Sequence, residues 1–170
     1  ALKRLKEEGV AGMEGLDIRL AGGVSPDAVS SIKAAGLEEE LTLLGMVSRA
    51  DVLEEISKAG LLLLPINIAP NCKGRVPGKL FELMRSGKPI LALGPVDGDV
   101  ARLLRETGTG ETFEYDDVSG VRSFLIRYFA GSLDLPRQGA MEVGALSNEK
   151  GGAQLAGLLN EAMQTRSSKP

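Results

Sequence analysis

The 170 residues contain no histidine and no tryptophan, one cysteine, four phenylalanines and two tyrosines. Each shortage excludes a chemistry. Without histidine there is no Ser-His-Asp triad, no Cys-His dyad, and few of the usual zinc sites can be built. Cys72 has no second cysteine to pair with, which fits a reducing compartment or no particular one. Aromatics at 4% cannot supply a stacking platform for single-stranded nucleic acid. Twenty Lys and Arg against 23 Asp and Glu leave a formal charge of −3, which argues against general nucleic-acid binding. No run approaches the roughly 18 apolar residues of a membrane span. No apolar stretch follows the charged segment Ala1 to Glu8, so it does not read as a signal peptide. The expected location is cytoplasmic.

What the chain has in excess is glycine: 22 residues, nearly twice the roughly 7% of an average protein. They fall between short apolar runs and amphipathic stretches. Asp17-Ile18-Arg19-Leu20-Ala21 reads as a strand closed by Gly22-Gly23, and Ser25-Pro26-Asp27 as the start of a helix to about Ala35. Leu41 to Leu44 is a second strand ended by Gly45, and Ser48 to Ala59 a helix stopped by Gly60. Leu61-Leu62-Leu63-Leu64, apolar on both faces, suits a central parallel strand. Thirteen residues from Pro65 to Pro77 form a loop long enough to suggest function. Gly78 to Ser86 reads as helix, Ile90 to Leu93 as strand, Asp97 to Glu106 as helix, Glu111 to Tyr115 as strand, and Val118 to Phe129 as helix. Residues 132–150 read as a connection and 151–165 as a closing helix.

The repeated order strand, glycine, helix, glycine is βαβ logic. The expected fold class is α/β: a single Rossmann-like domain over residues 1–170, its core at about 15–130, with a mostly parallel sheet flanked by helices. Ligands in such sheets bind beyond the carboxyl ends of the strands. The first amphipathic stretch, Ala1 to Glu8, has no strand before it, so the first strand is expected to be missing and the chain to be a piece of a longer protein.

The densest polar cluster is Lys73-Gly74-Arg75-Val76-Pro77-Gly78-Lys79-Leu80-Phe81-Glu82, at the start of an expected helix. Helix starts favour anions such as phosphate. Gly78 lets a ligand approach the backbone, and Lys79 adds a flexible point charge. Glu82, three residues on, shares the helix face and can accept hydrogen bonds from sugar hydroxyls. The cluster reads as a phosphate and ribose site; a plain solvated Lys79–Glu82 pair is the competing reading at this point. There is no P-loop, since Gly-x-x-x-x-Gly-Lys-Ser/Thr never occurs, and no dinucleotide fingerprint. Asp97, Asp99, Asp116 and Asp117 read as helix-capping residues rather than cation ligands, and Cys72 as a bystander.

In this cluster, Pro77-Gly78-Lys79-Leu80-Phe81-Glu82-Leu83-Met84-Arg85-Ser86-Gly87-Lys88-Pro89-Ile90-Leu91-Ala92 resembles the "Lys-x-x-Glu, small residue, Gly-x-Pro-Ile/Val" signature of the donor-binding, C-terminal domain of GT-B glycosyltransferases of the family 4 type. Ile18 to Gly23, Leu43-Leu44-Gly45-Met46-Val47, Ala59-Gly60-Leu61-Leu62-Leu63-Leu64-Pro65 and Leu104 to Gly110 are similar, in order, to further elements of that family. The resemblance spans residues 15–130. It implies a nucleotide-diphosphate-sugar donor carrying UDP or GDP, with no separate cofactor and no metal. Lys79 would face the diphosphate, with Gly78, Arg75 and Leu80 beside it. Glu82 would hold the ribose, Gly45, Met46 and Val47 would lie beside the base, and Asp97, Gly98 and Asp99 near the donor sugar. The parent enzyme would be a retaining glycosyltransferase, and this piece alone inactive. Its partners would be the donor and an absent N-terminal acceptor domain, which would also carry any peripheral membrane docking. Two positions depart from the family: Gly60 stands where Asp is usual, and Gly74 where members often carry a second Glu. Competing readings are a nucleotide-sugar epimerase of the same fold, a phosphate-responsive signalling module, and a non-catalytic binding domain.

Overall fold

The computed structural model describes residues 1–135. The expected connection and closing helix beyond that point lie outside the described residues. Strand and helix alternate: α1 (Leu2–Glu7), β1 (Ile18–Ala21), α2 (Pro26–Ala34), β2 (Leu41–Gly45), α3 (Arg49–Lys58), β3 (Leu62–Pro65), α4 (Lys79–Arg85), β4 (Ile90–Leu93), α5 (Asp99–Thr107), β5 (Gly110–Phe113) and α6 (Val118–Phe129). Two 3-10 turns, Met13–Gly15 and Cys72–Gly74, were not legible in the pattern.

The start signals act as their chemistry dictates. Ser25 accepts from the Ala28 amide, with Pro26 in the first turn of α2. Ser48 and Asp51 form a reciprocal capping box on α3. Asp117 accepts from the Gly120 amide at α6. At the other end of α5, Gly108 takes the left-handed conformation, φ 64°, that turns the chain into β5.

Every strand pairing is parallel, as βαβ logic requires, but the strands divide into two sheets. One has the order β1-β2 and the other β3-β4-β5. The three-stranded sheet carries the core, and the two-residue period of its strands sorts side chains to opposite faces. Leu62, Leu64, Ile90 and Ala92 pack under Leu80, Leu83 and Met84 of α4 and Val100, Leu103 and Leu104 of α5. Leu91 and Phe113 face the other way, onto Phe124 and Leu125 of α6 and Leu5 of α1. Phe113 and Phe124 meet edge to face with ring centroids 5.7 Å apart.

The other half is thinly packed. Neither α2 nor α3 contributes a buried residue, and Leu37 is the single buried apolar side chain between residues 16 and 60. An ion pair from Lys6 to Glu40 ties that half to α1, and Arg19 to Glu55 at 2.6 Å joins β1 to α3 within it. A Cβ on Gly60 would meet the Tyr128 hydroxyl at 2.3 Å, so a side chain there would turn the tip of Tyr128 aside.

Candidate functional site

Four segments leave the strands at their carboxyl ends: Gly45 to Ser48 after β2, Ile66 to Gly78 after β3, Gly94 to Gly98 after β4, and Glu114 after β5. Side-chain contacts join them into one rim. Lys73 Nζ donates to Asp97 Oδ2 at 2.6 Å, linking the loop after β3 to the loop after β4. Gly98 is buried against the same loop, where an added Cβ would lie 3.0 Å from the Lys73 carbonyl oxygen. The Val96 amide donates to Glu114, and Arg105 donates to the Val96 carbonyl. These bonds hold the loop after β4 from both sides.

The competing Lys79–Glu82 ion pair does not form among the described residues. Glu82 instead accepts from Arg49 at 2.5 Å, across from the first turn of α4 to the first residue of α3. Arg49 is 79% exposed while Glu82 is 33% exposed, so the guanidinium sits over a half-sheltered carboxylate. Sequence reasoning passed over Arg49. The signal available was a cation at the positive end of a helix, an unfavourable place unless an acidic partner compensates. Lys79 and Arg75 are exposed and make no ion pair or side-chain hydrogen bond among the described residues. Gly78 has ordinary right-handed backbone, φ −55°, with open space where a side chain would stand. The protein itself places no steric demand for glycine there.

Three expectations need correction. The Leu80 side chain is fully buried in the core under α4, because it points down from the helix face opposite the rim, so it serves packing. Asp97 does not cap α5: its carboxylate is taken by Lys73, and Gly98 holds the N-cap position without a side-chain bond. Asp99 lies in the first turn but turns to Arg102 at 3.0 Å. It also lies 4.0 Å from where a side chain on Gly74 would begin, so a carboxylate reaches that position from α5. Met46, beside Gly45 and Val47, is 86% exposed and projects from the loop after β2. Gly45 has φ 65°, a left-handed turn that suits glycine and sends the chain from β2 toward α3.

The Lys73–Asp97 contact sets a pH dependence. Hydrogen bonding to Lys73 lowers the Asp97 pKa, and the same bond raises that of Lys73. A depressed carboxyl pKa contributes stability that is present above the unfolded value, about 3.9, and lost as pH falls through the folded one. A raised lysine pKa contributes below about 10.4 and is lost above. The clasp between the two loops should therefore persist between about pH 4 and pH 10 and open in acid. Carboxyl-carbon NMR of Asp97 through an acid titration checks this; an ordinary aspartate titration would contradict it.

A shallow depression of about 480 Å³, lined in part by Gly87, Lys88, Pro89, Gly108, Thr109 and Tyr128, lies at the amino ends of β4 and β5, away from the rim. Among the described residues no group of three or more Cys, Asp or Glu gathers to hold a metal ion, and no helix is long and apolar enough to cross a membrane.

Fold and rim together define a class: an α/β domain of parallel strands with a polar rim of Lys, Arg, Glu and Asp beyond their carboxyl ends. No protein-family model matches the chain, and no curated protein matches it.

Proposed function

We propose that this domain binds the nucleoside-diphosphate part of a nucleotide-sugar donor, as the donor-binding half of a glycosyltransferase. The observation that carries the reading is the grouping of two cations that make no ion pair among the described residues, Lys79 and Arg75, with the sheltered Glu82 at the strand carboxyl ends, where ligands of parallel α/β sheets bind. Cations without protein partners are suited to phosphate oxygens. A carboxylate is suited to the paired hydroxyls of ribose, and Glu82 keeps Oε2 available while Oε1 accepts from Arg49. The likeness of residues 77–90 to the glycosyltransferase signature supports the same assignment. Met46 and Val47 would then offer an apolar edge to the base, and Asp97 and Asp99 would stand on the side of the sugar. Transfer itself, the sugar and the acceptor belong to the proposal only through that likeness.

Calorimetric titration of the chain with UDP, GDP and inorganic pyrophosphate tests it. Binding of at least one nucleoside diphosphate is expected; a folded chain that binds none of them at millimolar concentration would sink the reading. Glu82→Ala should weaken nucleoside-diphosphate binding by about tenfold, the worth of a hydrogen bond to a charged group, and leave pyrophosphate binding nearly unchanged. Equal losses for both ligands would remove the ribose role from Glu82.

A further inference from the structure

Folding alone does not account for Arg49. It is the first residue of α3, at the positive end of the helix, where a cation is disfavoured. The capping box of Ser48 and Asp51 already starts that helix without it. Its ion pair with Glu82 is well exposed on the Arg49 side, and such pairs add little stability. One guanidinium nitrogen, Nη2, donates to Glu82. Among the described residues no other protein acceptor takes the remaining N–H groups.

The neighbours of Arg49 fix which part of a ligand it would meet. On the nucleoside-diphosphate reading proposed above, on which this inference rests, the ribose lies on Glu82 and the phosphates on Lys79 and Arg75. Ribose carries its base on C1′ and its phosphates through C5′, with the hydroxyl pair between them. A base therefore leaves Glu82 in the direction away from those two cations. At α4 the rim has two sides. The loop before α4 meets the start of α5, through Lys73 on Asp97 and through Gly74 beside Asp99. Glu82 meets the start of α3, through Arg49. The base falls on the α3 side, where Arg49 follows directly on the loop Gly45 to Ser48.

We propose that Arg49 selects the base of the nucleotide, and that the base is guanine. A guanidinium only donates, and its planar fork matches two acceptors side by side. Guanine offers O6 and N7 in that arrangement. Adenine sets its N6 amino donor beside N7, and cytosine presents its N4 amino donor. Uracil offers O4 without a second acceptor next to it. The other side chains of this segment do not counter that preference. Met46 and Val47 are apolar, and Asp51 is engaged by Ser48, whose amide and hydroxyl both donate to its Oδ2. The ligand class is a guanosine diphosphate or its sugar ester.

Calorimetric titration of the 170-residue chain with GDP, ADP, UDP and pyrophosphate reads the selection. GDP should bind about tenfold or more tighter than ADP, the discrimination of a bidentate base contact, with UDP between them. Arg49→Ala should bring GDP and ADP within about twofold of each other. Its pyrophosphate affinity and thermal midpoint should stay close to those of the parent, because the lost ion pair is exposed. Arg49→Gln, whose amide matches the N6 and N7 edge of adenine, should move the ratio further toward ADP. Equal binding of GDP and ADP by the parent overturns the guanine assignment and leaves the nucleoside-diphosphate reading standing; binding of no nucleoside diphosphate overturns both. A GDP preference that survives Arg49→Ala also overturns the role of Arg49. So does an equal loss of pyrophosphate affinity in that variant, which would make Arg49 a phosphate contact.

Discussion

Lys79→Ala is expected to weaken nucleoside-diphosphate binding by about ten- to a hundredfold, the range for a hydrogen bond to a charged group. Its thermal midpoint should match the parent. Both halves of that expectation follow from the position of the side chain. Lys79 opens α4 on the exposed side and has no ion pair or side-chain hydrogen bond among the described residues, so its removal deletes no internal contact. Lys73 makes the useful contrast. It is the same residue type six residues earlier, in the loop before α4, but it is engaged with Asp97, and Lys73→Ala would unclasp two loops as well as remove a charge. A ligand phosphate meeting Lys79 gains a charge-assisted bond with no protein partner to displace. Calorimetry with UDP and pyrophosphate reads the effect, and both ligands should lose affinity together, unlike the selective loss expected at Glu82. If Lys79→Ala binds as the parent does, the diphosphate does not sit at this lysine.

Gly110→Ala is expected to destabilise the fold by about 3 kcal/mol or more, at or above the upper end of ordinary overpacking. Gly110 opens β5 opposite Ile90 of β4. A Cβ on it would lie 2.2 Å from the Ile90 carbonyl oxygen and 2.8 Å from the Ile90 Cβ. Neither can swing aside as a side-chain tip could. Ile90 is fully buried in the core, and its amide is bonded to the Thr109 carbonyl. Relief would require β5 to move off β4, breaking the ladder on which α5 and α6 pack. For a chain of this size the loss corresponds to a fall of roughly 6–12 °C in thermal midpoint. Gly78→Ala is the control: open space, right-handed backbone, and a midpoint unchanged or slightly raised. A Gly110→Ala melt within a degree or two of the parent would show that the β4–β5 approach is looser than these distances.

The elements of this fold were legible because each is bounded by residues with local chemistry. Ser25, Ser48 and Asp117 cap the helices they were expected to cap, and Gly108 ends the helix it was expected to end. Asp97 misled for a physical reason: an aspartate before a helix can cap it, but a lysine 24 residues earlier competes for the same carboxylate and wins. The competing reading of a plain Lys79–Glu82 pair fails in the same way. Spacing of three on a helix permits a pair, but Arg49 approaches Glu82 from another helix, and no periodicity within α4 encodes it. The two 3-10 turns left no signal because three residues are too short for any period. Leu80 stands among polar neighbours along the chain, but its helical spacing with Leu83 and Met84 marks it as core, and the core is where it packs.

What the sequence by itself determined is the alternation of strands and helices, the parallel sense of the pairings, and the supply of Lys, Arg, Glu and Asp at the strand ends. Those depend on apolar period, glycine stops and caps, which act within a few residues. Only the tertiary structure decided that the strands divide into two sheets, that Glu82 faces Arg49 while Lys79 and Arg75 make no ion pair among the described residues, and that Asp99 reaches beside Gly74. Those depend on which surfaces meet across tens of residues. Such meetings are set by the packing of Leu64, Ile90, Leu80 and Leu104 in one shared core, and no local pattern carries them.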